Sequence, residues 1–140
     1  MKNTLLIFIL FVVFSCKKNE SKEIVIIENK VVKQSEMAAL MLKMYDKSLE
    51  NKKLVIEGEK PINFPEEFLN IHTAQLTDPS DRTKNFKTFS DFYLKSFKEI
   101  YNTSKDSLIV NHNKAINSCI ACHETTCVGP IPRIKKLLIK

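Results

Sequence analysis

Glycine is nearly missing from this chain, with two in 140 residues. Tight strand-to-strand turns lean on glycine for positive φ. No alternating apolar and polar stretch of any length offsets that shortage, so a sheet protein is disfavoured. Apolar runs are short as well: the longest covers residues 5–14, half of the roughly 20 residues a membrane-spanning helix needs. Basic residues outnumber acidic ones by 22 to 16, a formal charge of +6. The lysines are scattered and form no tract with interleaved aromatics, so nucleic acid is not the expected partner. An acidic partner or lipid headgroups suit this balance better. Neither an internal repeat nor a low-complexity tract is present.

The opening MKNTLLIFILFVVFSCKKNESKE has Lys2 ahead of the apolar run and a polar stretch behind it, the layout of a secretory signal. Val13-Phe14-Ser15-Cys16 resembles a bacterial lipobox, in which cleavage leaves a diacylglycerol-bearing cysteine as the new N-terminus. Several acyl chains on one cysteine anchor firmly, at about 0.8 kcal/mol per buried methylene. The expected organisation is a signal peptide over residues 1–15, a lipid-anchored tether over 16–33 that begins at Cys16 and holds an extended piece at 24–27, and a helical domain over 34–140. Loss of Lys2 with the signal lowers the formal charge from +6 to +5.

From Ser35 onward the pattern becomes helical. Ser35 is a candidate N-cap, and Gly58 followed by Pro61 is a stop. Between them Met37, Leu40, Met41, Met44 and Leu49 recur at helical spacing and predict one buried stripe. Three prolines between residues 61 and 79 leave room for one short helix near residues 66–75. Asp78-Pro79-Ser80 is the expected cap of a long helix whose apolar face is Phe86, Phe89, Tyr93, Phe97, Ile100 and Tyr101. Ser104 is the expected cap of the last helix, running to about Glu124. The fold class is therefore all-α, helices packed around one core in the manner of a four-helix bundle.

The chemistry concentrates in Cys119-Ile-Ala-Cys122-His123. Residues three and four apart share a helix face, so both thiols and the imidazole project from one side. C-x-x-C-H is the signature of c-type haem attachment, two thiols for the vinyl groups and a histidine for the iron. A redox dithiol also uses C-x-x-C, but at a helix N-terminus, where the dipole lowers the thiol pKa; here the motif lies near a C-terminus. With Cys127 the cluster holds four N/S donors, the number a structural zinc takes, although adjacent Cys122 and His123 reach one ion only with distortion. Haem is the reading these residues favour. Cys127, left over, is expected to be a buried small hydrophobe beside the helix end. Gly129-Pro130-Ile131-Pro132 ends the helix, and a carbonyl in this turn is a natural acceptor for the Nδ1 proton of His123.

On Cys119, Cys122, His123 and the helical layout, residues 35–124 resemble a class II c-type cytochrome of the cytochrome c-prime kind. The resemblance implies a four-helix bundle with one covalent haem c on the C-terminal helix and His123 as proximal ligand. It also implies an earlier helix that places an apolar residue or a methionine over the opposite face of the iron. Met41 is the nearest match for that distal place, with Met37 and Met44 as neighbours and His72 as the other candidate. His112 stands about 16 Å from His123 along the same helix and cannot serve. Arg133, Lys135, Lys136 and Lys140 are candidates for neutralising propionates or meeting an acidic donor. The implied function is a non-enzymatic monohaem electron carrier in the bacterial cell envelope. It would be membrane-anchored, facing the periplasm or outer surface, exchanging electrons with envelope redox proteins and with a homodimer in prospect. A five-coordinate gas-binding haem protein for nitric oxide or carbon monoxide is the alternative, ahead of a zinc-binding structural lipoprotein. Mass spectrometry of the exported protein should find Cys16 at the N-terminus carrying acyl chains; a free Cys16 thiol on the exported chain would refute the anchor.

Overall fold

The computed structural model describes residues 34–140. The signal segment, Cys16 and the tether, with the extended piece expected at residues 24–27, lie outside the described residues. Within them the chain is all-α, with no strand. Three long helices, α1 (Glu36–Ile56), α2 (Lys84–Asn102) and α3 (Leu108–Thr126), are followed by one turn of helix, α4 (Ile131–Ile134). The short second segment is a 3-10 helix, Glu66–His72, which packs against both α1 and α2 and completes the bundle. No helix among the described residues is long and apolar enough to cross a membrane.

Helix α1 starts and stops on local chemistry. The Ser35 hydroxyl accepts the Ala38 amide at 3.1 Å, satisfying a donor that the first turn leaves free. At the other end Gly58 has φ 74°. The Gly58 amide donates to the Val55 carbonyl and the Glu59 amide to the Leu54 carbonyl, the paired bonds that a left-handed residue after a helix permits. The expected stripe holds for Met37, Leu40 and Met44, which are buried, and for half-buried Met41. Leu49 is a correction, since it is 38 % exposed. The core face of α1 continues instead through Ser48, Asn51 and Val55. Ser48 donates to the Met44 carbonyl at 2.8 Å, and the Asn51 amide donates to the Tyr101 hydroxyl at 3.0 Å. Both polar groups enter the core because each has a partner.

Two further helix starts differ from expectation. Asp78 caps a separate 3-10 turn, Pro79–Asp81, by accepting from the Ser80 amide at 2.9 Å. Arg82 then leaves the helical region, its guanidinium donating back to the carbonyls of His72 and Ala74. So α2 begins only at Lys84, with the Thr83 hydroxyl accepting the Phe86 amide at 3.1 Å. Ser104 likewise precedes a 3-10 turn, Lys105–Ser107, and α3 begins at Leu108 and runs two residues past Glu124.

Helices α2 and α3 are antiparallel. The ion pair of Glu99 with Lys114 lies at 2.6 Å, and Asn111 donates to the Thr103 hydroxyl at 2.8 Å nearer the connection. Helix α1 runs parallel to α2. The Asn51–Tyr101 bond joins their C-terminal halves. At the other end the Met37 amide donates to the Gln75 carbonyl at 3.0 Å, just after the 3-10 helix that touches the start of α2. In the core, Phe97 is 0 % exposed and its ring meets Phe64, Phe68, Tyr93 and Tyr101 at centroid distances of 5.4 to 6.2 Å. Aromatic contacts of this kind add about 0.5–1.5 kcal/mol each beyond burial.

The residues after α3 return along the bundle as a strap. Lys52 of α1 donates to the carbonyls of Lys136 and Leu138, both at 2.8 Å. Asn113 of α3 exchanges two bonds with the Ile139 backbone at 2.8 and 2.9 Å. Ile134 and Leu137 close a second apolar cluster with Ile116 and Ile120. Replacing Phe97→Ala in the full chain should cost about 3–5 kcal/mol by urea unfolding followed by circular dichroism. Phe92→Ala, on a half-exposed ring, should stay within about 0.5 kcal/mol. Equal losses at the two positions would contradict the packing described.

Candidate functional site

Cys119, Cys122 and His123 lie together on the last turns of α3. All three cysteines from residue 119 onward are free. Cys119 packs against both apolar clusters, where the main core meets the one closed by the strap. Burial pushes its thiol up to about 12, and the neighbouring Cys122 adds to the effect. Burial raises the Cys122 thiol as well. Both groups are thus held as S–H. Neither thiol has the lowered pKa that marks a redox dithiol. Among the described residues no three His, Cys, Asp or Glu side chains converge where an ion would sit.

His123 is half-exposed, and its Nδ1 lies 2.9 Å from the Cys127 carbonyl oxygen. A carbonyl only accepts, so Nδ1 carries the proton, and the neutral ring keeps its lone pair on Nε2. The acceptor expected in the 129–132 turn therefore sits two residues earlier. The Cys127 amide closes the same turn by donating to the His123 carbonyl at 3.1 Å. The expectation of a buried Cys127 fails, since its side chain is exposed. It caps α3 with an extended backbone, φ −143° and ψ 84°, which turns the carbonyl toward the imidazole and the thiol to solvent.

The methionines of α1 separate by burial. Met37 and Met44 are each 5 % exposed inside the main core, whereas Met41 is half-buried at its margin. Lys52 of α1 and His112 of α3 reach adjacent strap carbonyls, those of Leu138 and Leu137, so in this antiparallel pair Met41, before Lys52 by as many residues as His123 follows His112, stands at about the level of His123. His72 is engaged elsewhere: its Nδ1 lies 3.4 Å from the Ser90 hydroxyl and its Nε2 3.3 Å from an Asp91 carboxylate oxygen. Arg133 stacks over the Tyr45 ring at 3.9 Å. With Lys136 lending its carbonyl to Lys52, the basic tail is docked against the bundle.

No protein-family model, curated protein or solved structure matches this chain. The residues of the motif would suit a covalent haem, whose donors need not surround one ion. Covalent attachment spreads two thiols along the macrocycle edge and asks for one nitrogen at the metal, so the donors need not converge. Tyr93 adds a second indication. Its hydroxyl is buried without a hydrogen-bond partner, and burial, then the nearby Cys119, hold its phenol well above the ordinary value. An orphaned buried hydroxyl costs about 1–3 kcal/mol, and a polar partner arriving beside Cys119 would relieve it. Of two surface hollows, about 440 and 640 Å³, neither is lined by a cysteine or by His123, but the larger borders the motif through Ser118 and Ala121.

His112, excluded as an iron ligand by its place on α3, has a structural post instead. It is 0 % exposed, and its Nε2 donates to the Leu137 carbonyl at 2.9 Å while Nδ1 finds no partner. Burial lowers its pKa, opposed by the bond to Leu137, with Lys52 adding to the depression. The unfolded chain then takes up the proton at higher pH than the folded one. Stability should be flat above about pH 6.5 and fall as pH drops from there toward the depressed folded value. Urea midpoints at pH 7.5 and 5.5 measure this loss. His112→Gln, which keeps a donor for Leu137, should reduce the difference between them; an unchanged difference would show that other groups set it.

Proposed function

We propose that this chain is a monohaem c-type cytochrome that carries single electrons in the bacterial cell envelope. The observation that carries the reading is the His123 Nδ1 bond to the Cys127 carbonyl, within a C-x-x-C-H motif whose two sulfurs are protonated thiols. Each thiol would supply one S–H for a thioether bond to a vinyl group, a pairing that needs no outside oxidant or reductant. Cys119 and Cys122 would hold the macrocycle edge, and His123 would offer its Nε2 to the iron. Haem iron cycling between two oxidation states supplies the one-electron chemistry. The protein's part is to fix the proximal ring, exclude water from the Cys119 side and supply or withhold a sixth ligand.

Met41 is the residue proposed for that sixth place. Its half-buried position level with His123 supports the choice over the enclosed Met37 and Met44 and over His72, whose nitrogens are occupied. No substrate turnover is proposed. The partners are envelope redox proteins, and the membrane is met through acylated Cys16 rather than a spanning helix, with nucleic acid playing no part. Anchorage and a homodimeric state belong to the same proposal and rest on the sequence and the cytochrome resemblance.

Pyridine haemochrome spectra after acid-acetone extraction should show covalent haem in the mature protein and none in Cys119→Ala/Cys122→Ala; full colour in the double variant would refute attachment. Carbon monoxide then separates the carrier from a gas-binding protein. Reduced bands unchanged by the gas support methionine ligation, and Met41→Ala should make them shift. A Soret band of the unmodified protein that already shifts favours the five-coordinate reading and removes Met41 from the site.

A further inference from the structure

The acceptor that fixes His123 belongs to the segment that leaves α3 and returns along the bundle. After Cys127 come Val128 and Gly129, both exposed, and a single turn of helix at α4. Arg133 over Tyr45 at 3.9 Å and Ile131 on the second apolar cluster hold the near end of this return stretch, and a set of side chains farther along holds the rest. Lys52 reaches across from α1 to the carbonyls of Lys136 and Leu138 at 2.8 Å each. His112 donates to the carbonyl between them, that of Leu137, at 2.9 Å. Asn113, the next residue of α3, takes both the amide and the carbonyl of Ile139. Four consecutive strap residues thus give up their carbonyls to three side chains from two helices. Ile134 and Leu137, buried against Ile116 and Ile120, complete the hold from the apolar side.

The geometry points to a positioning role: we propose that Lys52, His112 and Asn113 set the electronic state of His123 by clamping residues 134–139, which hold the Cys127 carbonyl on the Nδ1 proton. The clamp rests on the haem reading above, because only a metal-bound imidazole makes the strength of this bond visible. A proximal histidine that donates firmly from Nδ1 is a stronger ligand, and stronger donation favours ferric over ferrous iron. Releasing the strap weakens the donation and moves the reduction potential upward. None of the three residues would touch the haem; they act through about ten residues of backbone.

Spectroelectrochemistry of the full-length, haem-loaded protein tests this, with covalent haem content and exchange of the Ile139 amide measured on the same samples. Lys52→Met keeps the side chain's apolar stem and removes two bonds, and Asn113→Ala removes two others. Each should raise the potential and speed amide exchange, the pair together should do more, and Lys52→Arg, which still donates to two carbonyls, should restore the unmodified value. Full haem content with faster exchange at Ile139 but an unmoved potential overturns the clamp and leaves the cytochrome reading intact. Absence of covalent haem from the unmodified protein overturns both. A double variant that does not fold leaves the single variants and the arginine rescue to decide.

Discussion

One carbonyl oxygen governs the region around the motif. The Cys127 oxygen accepts the Nδ1 proton of His123, and that bond determines which ring nitrogen is free. Without it the imidazole, half-exposed at the end of α3, rotates about two single bonds and exchanges tautomers with water. Fixing it requires the chain to leave the helix at Cys127 with an extended backbone. This in turn exposes the thiol of Cys127 and sends the following residues back along the bundle. The stop of α3, the exposed thiol of Cys127 and the turn of its carbonyl toward His123 belong to one backbone conformation.

The core supplies the rigidity this demand relies on. Phe97 and the rings around it tie α2 to the 3-10 segment Glu66–His72, and the Asn51–Tyr101 pair locks the parallel helices α1 and α2 in register. Cys119 sits where the two apolar clusters meet, so the motif begins inside the packed interior and ends at its surface. Surface ion pairs such as Lys87 with Asp91 add little to this frame.

Much of this was legible before any coordinates. Helical spacing marked Met37, Leu40, Met44 and the aromatic face from Phe86 to Ile100, because large apolar residues at three- and four-residue intervals leave few other solutions. Gly58 as a stop and Ser35 as a cap were legible for the same local reason. Ser48 and Asn51 were not, since each enters the core on a hydrogen bond that spacing does not show, and Tyr101 is fifty residues from Asn51. The starts at Lys84 and Leu108 were misplaced because several capping residues follow one another there, and Arg82 decides between them through carbonyls well upstream. Cys127 was misjudged by treating a small thiol as an apolar filler when its backbone held the decisive group. The strap was missed altogether. Its anchors are backbone carbonyls, which every residue carries, so no residue type advertises them; the doubled histidine and asparagine of His112-Asn113 facing inward on α3 were the one available signal.

The parallel course of α1 and α2 has a kinetic side. Antiparallel α2 and α3 are joined by a few residues and can pair early, whereas Lys52 meets Leu138 only across 86 positions of chain. Contacts that distant form late, after shorter loops have closed. Until α1 and the strap arrive together, the second cluster is open and Cys119 lacks its cover. The order of assembly therefore leaves Cys119 more accessible during folding than in the finished molecule.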